Sequence, residues 1–227
     1  MKFNSVILVD DSESCDIANL FVMMKDSTAQ LLEQYATSHE DIDAKNHVYL
    51  SDTVTKQNLA EKMSLVNSDS FMCFWYGHGK HDSFKIGNED IVTTTENYYL
   101  FSNALIYTFS CLNGNDLADA IVTNKAKAFV GYTDYANCPY GIDDVTTEIV
   151  MSFISSFLDG KTVNEAKKDL ESAYNQAVYD ESLDPLQRPL FQKNRDNLVV
   201  KGNGDLKLCD LLFDVISVPL KWDELNN

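Results

Sequence analysis

Two six-residue runs constrain this chain most: Phe71-Met-Cys-Phe-Trp-Tyr76 and Ala104-Leu-Ile-Tyr-Thr-Phe109. Each is apolar or nearly so throughout, and each runs into a reactive side chain. The first leads through Gly77 into His78-Gly79; the second leads through Ser110 into Cys111. Between and around them, strand patterns alternate with helical ones. Strands are expected near residues 5–9 (ending at Asp10-Asp11), 47–50, 71–76, 105–109 and 126–132. Helical spacing of apolar residues covers 17–35, 59–66, 116–123 and 147–158. This alternation predicts an α/β fold, a mostly parallel central sheet with helices on both faces.

Punctuation supports the assignment. Gly160 reads as the residue just past a helix. Thr162-Val-Asn-Glu165 fits a capping box opening a further helix to about Tyr179. Residues 77–97 read as polar loops, and Pro185 and Pro189 punctuate another loop. Residues 197–208 resemble two short strands around a Gly-Asn-Gly turn. The length of 227 residues suits a single domain, with a core over about 1–180 and closing strands over about 196–220.

Composition narrows the partners. A hydrophobic fraction of 44% provides for a sizeable core, which argues against disorder. A net charge of −17 disfavours direct nucleic-acid binding, which needs clustered Lys and Arg. It favours cationic substrates or basic partners, or is simply an acidic solvated surface. No run approaches the length of a membrane span, and the apolar run after Met1 is too short for a secretory signal. Five widely spaced cysteines without a CxxC pair suggest reduced thiols and a cytoplasmic setting, with no disulfide framework or zinc site.

Adjacent parallel strands deliver their C-terminal ends to one edge, where ligands bind. A thiol and an imidazole there make a nucleophile and its base. Cys111 and His78 are therefore the candidate catalytic pair, with His81 a rival base further along. The N–H groups of Gly79 and Cys111 could form an oxyanion hole, since a residue without Cβ lets substrate approach closely. Gly114 would keep the turn after the nucleophile tight. Taken singly, the cysteine could be a buried small hydrophobe and the histidine a surface turn residue.

The blocks Tyr-Gly-His78-Gly79, Thr-Phe-Ser-Cys111-Leu-Asn-Gly114 and Ala126-Lys-Ala-Phe-Val-Gly131-Tyr together resemble the caspase–gingipain clan of cysteine peptidases. The bacterial caspase-like and CHAT-type members are the most similar. The resemblance implies a caspase-like three-layer α/β/α sandwich and a cysteine endopeptidase. It further implies a His–Cys dyad with no required third residue, working through a thioacyl-enzyme. The pentapeptide Gln-Ala-Cys-Arg-Gly of metazoan caspases is absent, so specificity for aspartate does not carry over. In the clan the P1 pocket lies beside the cysteine, lined from the first strand end and from the strand after the nucleophile. Here those positions hold Asp10, Asp11 and Asp134, which would favour Arg or Lys at P1. Asp10 and Asp11 could instead cap the next helix, and Asp134 could be a turn residue.

No metal or organic cofactor is required by this chemistry, although calcium activates some relatives. The implied partners are a protein or peptide substrate and a regulatory protein, with loops 77–97 and 132–144 as gates. The bacterial relatives suggest a role in antiviral defence or cell death. Two other readings stand beside this one. A caspase-like scaffold could carry the dyad unused. Val6-Ile-Leu-Val-Asp10-Asp11 also looks like the start of a response-regulator receiver with Asp52 as phosphoacceptor, but Ser110-Cys111 stands where a receiver needs lysine.

Overall fold

A computed structural model describes residues 2–3, 6–11, 17–39, 47–50, 54–64 and 70–213. The strands are β1 (Lys2–Phe3), β2 (Val6–Asp10), β3 (His47–Leu50), β4 (Phe71–Tyr76), β5 (His78–Lys80), β6 (Ser83–Ile86), β7 (Glu89–Thr93), β8 (Ala104–Phe109), β9 (Ala128–Tyr132), β10 (Leu198–Gly202) and β11 (Leu212–Phe213). The helices are α1 (Ala18–Ser38), α2 (Lys56–Ser64), α3 (Asp116–Thr123), α4 (Asp143–Leu158), α5 (Val163–Tyr179) and α6 (Arg188–Asp196). Six strands form the main sheet in the order β10-β9-β8-β4-β2-β3. All its pairings are parallel except β9 with β10.

Side chains of a strand point alternately to the two faces. Met72, Phe74 and Tyr76 of β4, with Leu105, Tyr107 and Phe109 of β8, pack into a core with α1, α4 and α5. Phe71, Cys73 and Trp75, with Ala104 and Ile106, pack on the other face with α2 and α3. Both faces are buried, which is why neither run alternates apolar with polar residues and Thr108 is the one non-aromatic polar side chain in the two strands. The three-layer α/β/α expectation holds. Buried tyrosines on the first face find hydroxyl partners in the helices: Tyr76 with Thr28 Oγ1 (2.6 Å), Tyr132 with Tyr174 (2.7 Å) and Tyr107 donating to Val150 O (2.8 Å).

The helix signals hold as well. Gly160 has φ +85° and donates to Phe157 O, closing α4. Thr162 Oγ1 accepts from Glu165 N, and Glu165 Oε2 accepts from Thr162 N, so the capping box is complete.

Three local expectations are corrected. Residues 77–97 are mostly a three-stranded antiparallel sheet, β5-β6-β7, and not loops. Its strands are short, and only Phe84, Ile86, Ile91 and Val92 reach the core, too few to announce strands in a polar stretch. Pro189 does not break a loop but sits in the first turn of α6, where a missing N–H costs no helical bond. The end of the chain holds one strand of the expected pair: β10 joins β9, while β11 pairs with β1. Residues 214–220 of the expected closing segment, and Asp52, lie outside the described residues.

Candidate active site

The edge at the C-terminal ends of β2, β4, β8 and β9 is built by register. Asp10 pairs with Tyr76, and Tyr76 with Phe109. Hydrogen bonding runs one residue further on each side, Asp11 N to Tyr76 O at 3.0 Å and Gly77 N to Phe109 O at 3.3 Å. His78-Gly79 is thereby laid beside Ser110-Cys111. Gly79 measures how closely: a Cβ there would stand 2.4 Å from Ser110 Oγ, 2.5 Å from Cys111 O and 3.0 Å from Asn113 Nδ2. Only glycine lets the two segments meet at that separation.

His78 is half-buried, and its ring meets the Phe21 ring edge to face at 5.8 Å. Phe21 projects from α1, so the helix of the first crossover, between β2 and β3, packs against the imidazole. His81, the rival base, is exposed in the turn between β5 and β6, where its carbonyl accepts from Leu117 N.

Cys111 is half-buried as well. Burial pushes its thiol up from the ordinary value, and the charge of Asp134 adds to the shift. Such a thiol needs a base close by. The turn after it is left-handed at Leu112 (φ +65°), whose N–H donates to Asp134 O at 3.0 Å. Asn115 Nδ2 bonds Leu112 O and Thr133 O, so the post-β9 loop is tied to the nucleophile turn twice. Gly114 does not take the positive φ. It is needed for close approach, because a Cβ would stand 2.6 Å from Val199 Cγ1 and 2.9 Å from Tyr132 O.

The three acids part company. Asp10 is buried and paired with Lys25 Nζ at 3.0 Å, while its Oδ1 finds no partner among the described residues. Burial works against the Lys25 ammonium, but the bond and charge of Asp10 outweigh it and the net shift is upward. Both oxygens of buried Asp11 accept from Gly87 N at 3.0 Å, holding the tip of the small sheet against β2. Neither carboxylate caps α1, whose first turn has no side-chain cap. Asp134 is exposed, with Oδ1 accepting from Tyr135 N. Lys25→Met is expected to cost roughly 3 kcal/mol, because it strands a buried carboxylate. Urea unfolding measures it, and an unchanged midpoint would show that Asp10 does not depend on this partner.

Sequence reasoning missed Phe21, which reads only as a core position of α1. It also missed Cys138, whose place beside Cys111 leaves no mark in the sequence. No group of three or more metal-binding side chains gathers among the described residues. No helix described is long and apolar enough to cross a membrane. A groove of about 540 Å³ between α1 and α4 contains none of the candidate residues.

The architecture is a caspase-like three-layer α/β/α fold, and solved structures share it. Gingipain R, an Arg-specific cysteine proteinase, superposes with a TM-score of 0.62 at 14% identity, over 90% of this chain and 47% of its own. The complex of the pro- and mature domains of the Porphyromonas gingivalis protein gives 0.56 at 17% identity, over 89% and 47%. A secreted C11 cysteine protease from Bacteroides thetaiotaomicron matches more loosely, at 0.48 and 11% identity over 91% and 66%. This chain thus spans about half the length of the gingipain chain. No family model and no curated protein matches the sequence.

Proposed function

We propose that the chain is a cysteine endopeptidase in which Cys111 is the nucleophile and His78 the general acid and base. The observation that carries this reading is the contact of Gly79 with Ser110 and Cys111, which sets the two strand ends at one spot. The imidazole takes the thiol proton as Cys111 Sγ attacks the scissile carbonyl carbon. The resulting oxyanion is met by the N–H groups of Gly79 and Cys111. His78 then protonates the leaving amine, and a thioester remains. Water, deprotonated by His78, attacks the thioester and frees the thiol.

Asp134 is the acid best placed to read the substrate, being exposed and close enough to Cys111 to raise its pKa. Asp10 and Asp11 are buried and engaged by Lys25 and by Gly87 N. A cationic P1 side chain opposite Asp134 would neutralise a charge that otherwise disfavours the thiolate. Binding the right substrate thereby eases formation of the nucleophile. The specificity named for gingipain R is of the same sense. The substrate is accordingly a protein or peptide with Arg or Lys at P1.

The test is labelling with arginyl and aspartyl chloromethyl ketones, with the adduct located by peptide mapping. One adduct on Cys111 from the arginyl reagent supports both parts of the reading. An aspartyl adduct alone overturns the P1 assignment, and no selective adduct overturns the peptidase reading.

Asp134→Asn separates the two effects of that carboxylate. Turnover of Arg substrates is expected to fall about 10- to 100-fold, the worth of a charge-assisted hydrogen bond. Meanwhile the pH limb for alkylation of Cys111 by iodoacetamide should move to lower pH. The sign follows because a nearby negative charge raises a thiol pKa, and its removal lowers it. An unmoved limb would place Asp134 away from the thiol.

A further inference from the structure

Cys138 is the second thiol of this edge. Its Sγ lies 3.8 Å from the Ala136 carbonyl oxygen, and Cys111 Sγ lies 4.0 Å from that same atom. Both sulfurs thus lie within 4.0 Å of a single oxygen atom. Both are half-buried and both pack against the same apolar core. The backbone carrying Cys138 is held in place. Buried Asn194 accepts from Asn137 N (2.7 Å) and Nδ2 (2.9 Å) and donates to Asn137 O (2.9 Å). Cys73 is buried in the other core and Cys209 is exposed, with its Sγ near Asp210, so neither shares this arrangement.

We infer that Cys138 is a resolving thiol: on exposure to a peroxide, Cys111 and Cys138 join in a reversible disulfide that blocks Cys111 and spares it further oxidation. In the first step the Cys111 thiolate attacks one peroxide oxygen. An S–O bond forms, the O–O bond breaks, and hydroxide leaves to be protonated by His78. In the second step Cys138 sulfur attacks the Cys111 sulfenic sulfur. The S–S bond forms, the S–O bond breaks, and the departing oxygen takes the Cys138 proton to leave as water. Two thiols are oxidised by two electrons in total, and one hydrogen peroxide becomes two waters.

The order of events follows from the surroundings. Burial, then the neighbouring charge of Cys111, pushes the Cys138 thiol up to about 12, so it stays protonated. Cys111 follows the strand end laid beside His78-Gly79, and with His78 as its base it reacts first. The proposal rests on the peptidase reading for what the disulfide switches off and for His78 as the base that favours Cys111; the cross-link itself needs two thiols and a peroxide.

The test is reduced protein treated with hydrogen peroxide, followed by intact mass and non-reducing peptide mapping. A single Cys111–Cys138 cross-link is expected among the five cysteines, reversed by dithiothreitol with return of Cys111 alkylation. In Cys138→Ser the same treatment should carry Cys111 to sulfinic acid, which dithiothreitol does not restore, at a rate at least about tenfold above wild type. Cys138→Ala, with thermal melting of both variants, separates chemistry from misfolding. Equal over-oxidation of Cys111 in wild type and variants would overturn the proposal, as would a cross-link to another cysteine. A protein that forms the cross-link yet never cleaves peptides keeps this inference and sinks the peptidase reading. An active protein that only over-oxidises does the reverse.

Discussion

Cys111→Ala is expected to lower kcat/KM for an Arg-P1 peptide by about 10⁵-fold or more, and His78→Ala by about 10⁴-fold. The double variant should be no worse than Cys111→Ala alone, because the two side chains act as one unit. Remove the sulfur and no acyl-enzyme can form. Remove the imidazole and a thiol raised by burial and by Asp134 has nothing to take its proton. Raising the pH should then restore part of the activity of His78→Ala, as hydroxide replaces the base, and none of that of Cys111→Ala. Melting temperatures are expected to change little, since both side chains are half-buried. Steady-state kinetics of the four proteins decides it. Additive losses would show that the two residues do not share a reaction.

Gly79→Ala is expected to lower kcat/KM by roughly 10²- to 10³-fold, the worth of one oxyanion donor or of a misplaced reacting group. The new methyl would stand 2.4 Å from Ser110 Oγ and 2.5 Å from the Cys111 carbonyl oxygen. The second of these is backbone, so relief requires His78-Gly79 and Ser110-Cys111 to move apart. Stability should fall by about 1–3 kcal/mol, as for other overpacked sites. Gly114→Ala is the control. Its methyl meets Val199 and Tyr132, and should cost comparable stability while sparing most of kcat at temperatures where the protein is folded. Equal activity of folded Gly79→Ala and wild type would remove this contact from the reacting centre.

Local pattern was enough wherever a segment carries its own signal. The runs 71–76 and 104–109 announce strands because both faces must be apolar when helices cover both sides. The capping box at Thr162 and the left-handed Gly160 are legible because each is closed within a few residues. The small sheet β5-β6-β7 was not legible. Much of what holds it comes from distant residues, Trp75 stacking on Phe84 at 4.5 Å and Asp11 accepting from Gly87 N. Pro189 misled for a related reason: a proline in the first turn of a helix looks, in sequence, like one in a loop.

The sequence by itself determined the alternation of the parallel strands of the main sheet with α1 to α5, and which strands end in a thiol and an imidazole. Short-range apolar periodicity and capping decide these, and both are written in neighbouring residues. Only the tertiary structure decided that Gly79 touches Cys111, that Phe21 braces His78 and that Cys138 shares an acceptor with Cys111. It also decided that Lys25 and Gly87 occupy two of the three candidate acids and leave Asp134 exposed. These contacts join residues far apart in the chain, and sheet register and packing bring them together.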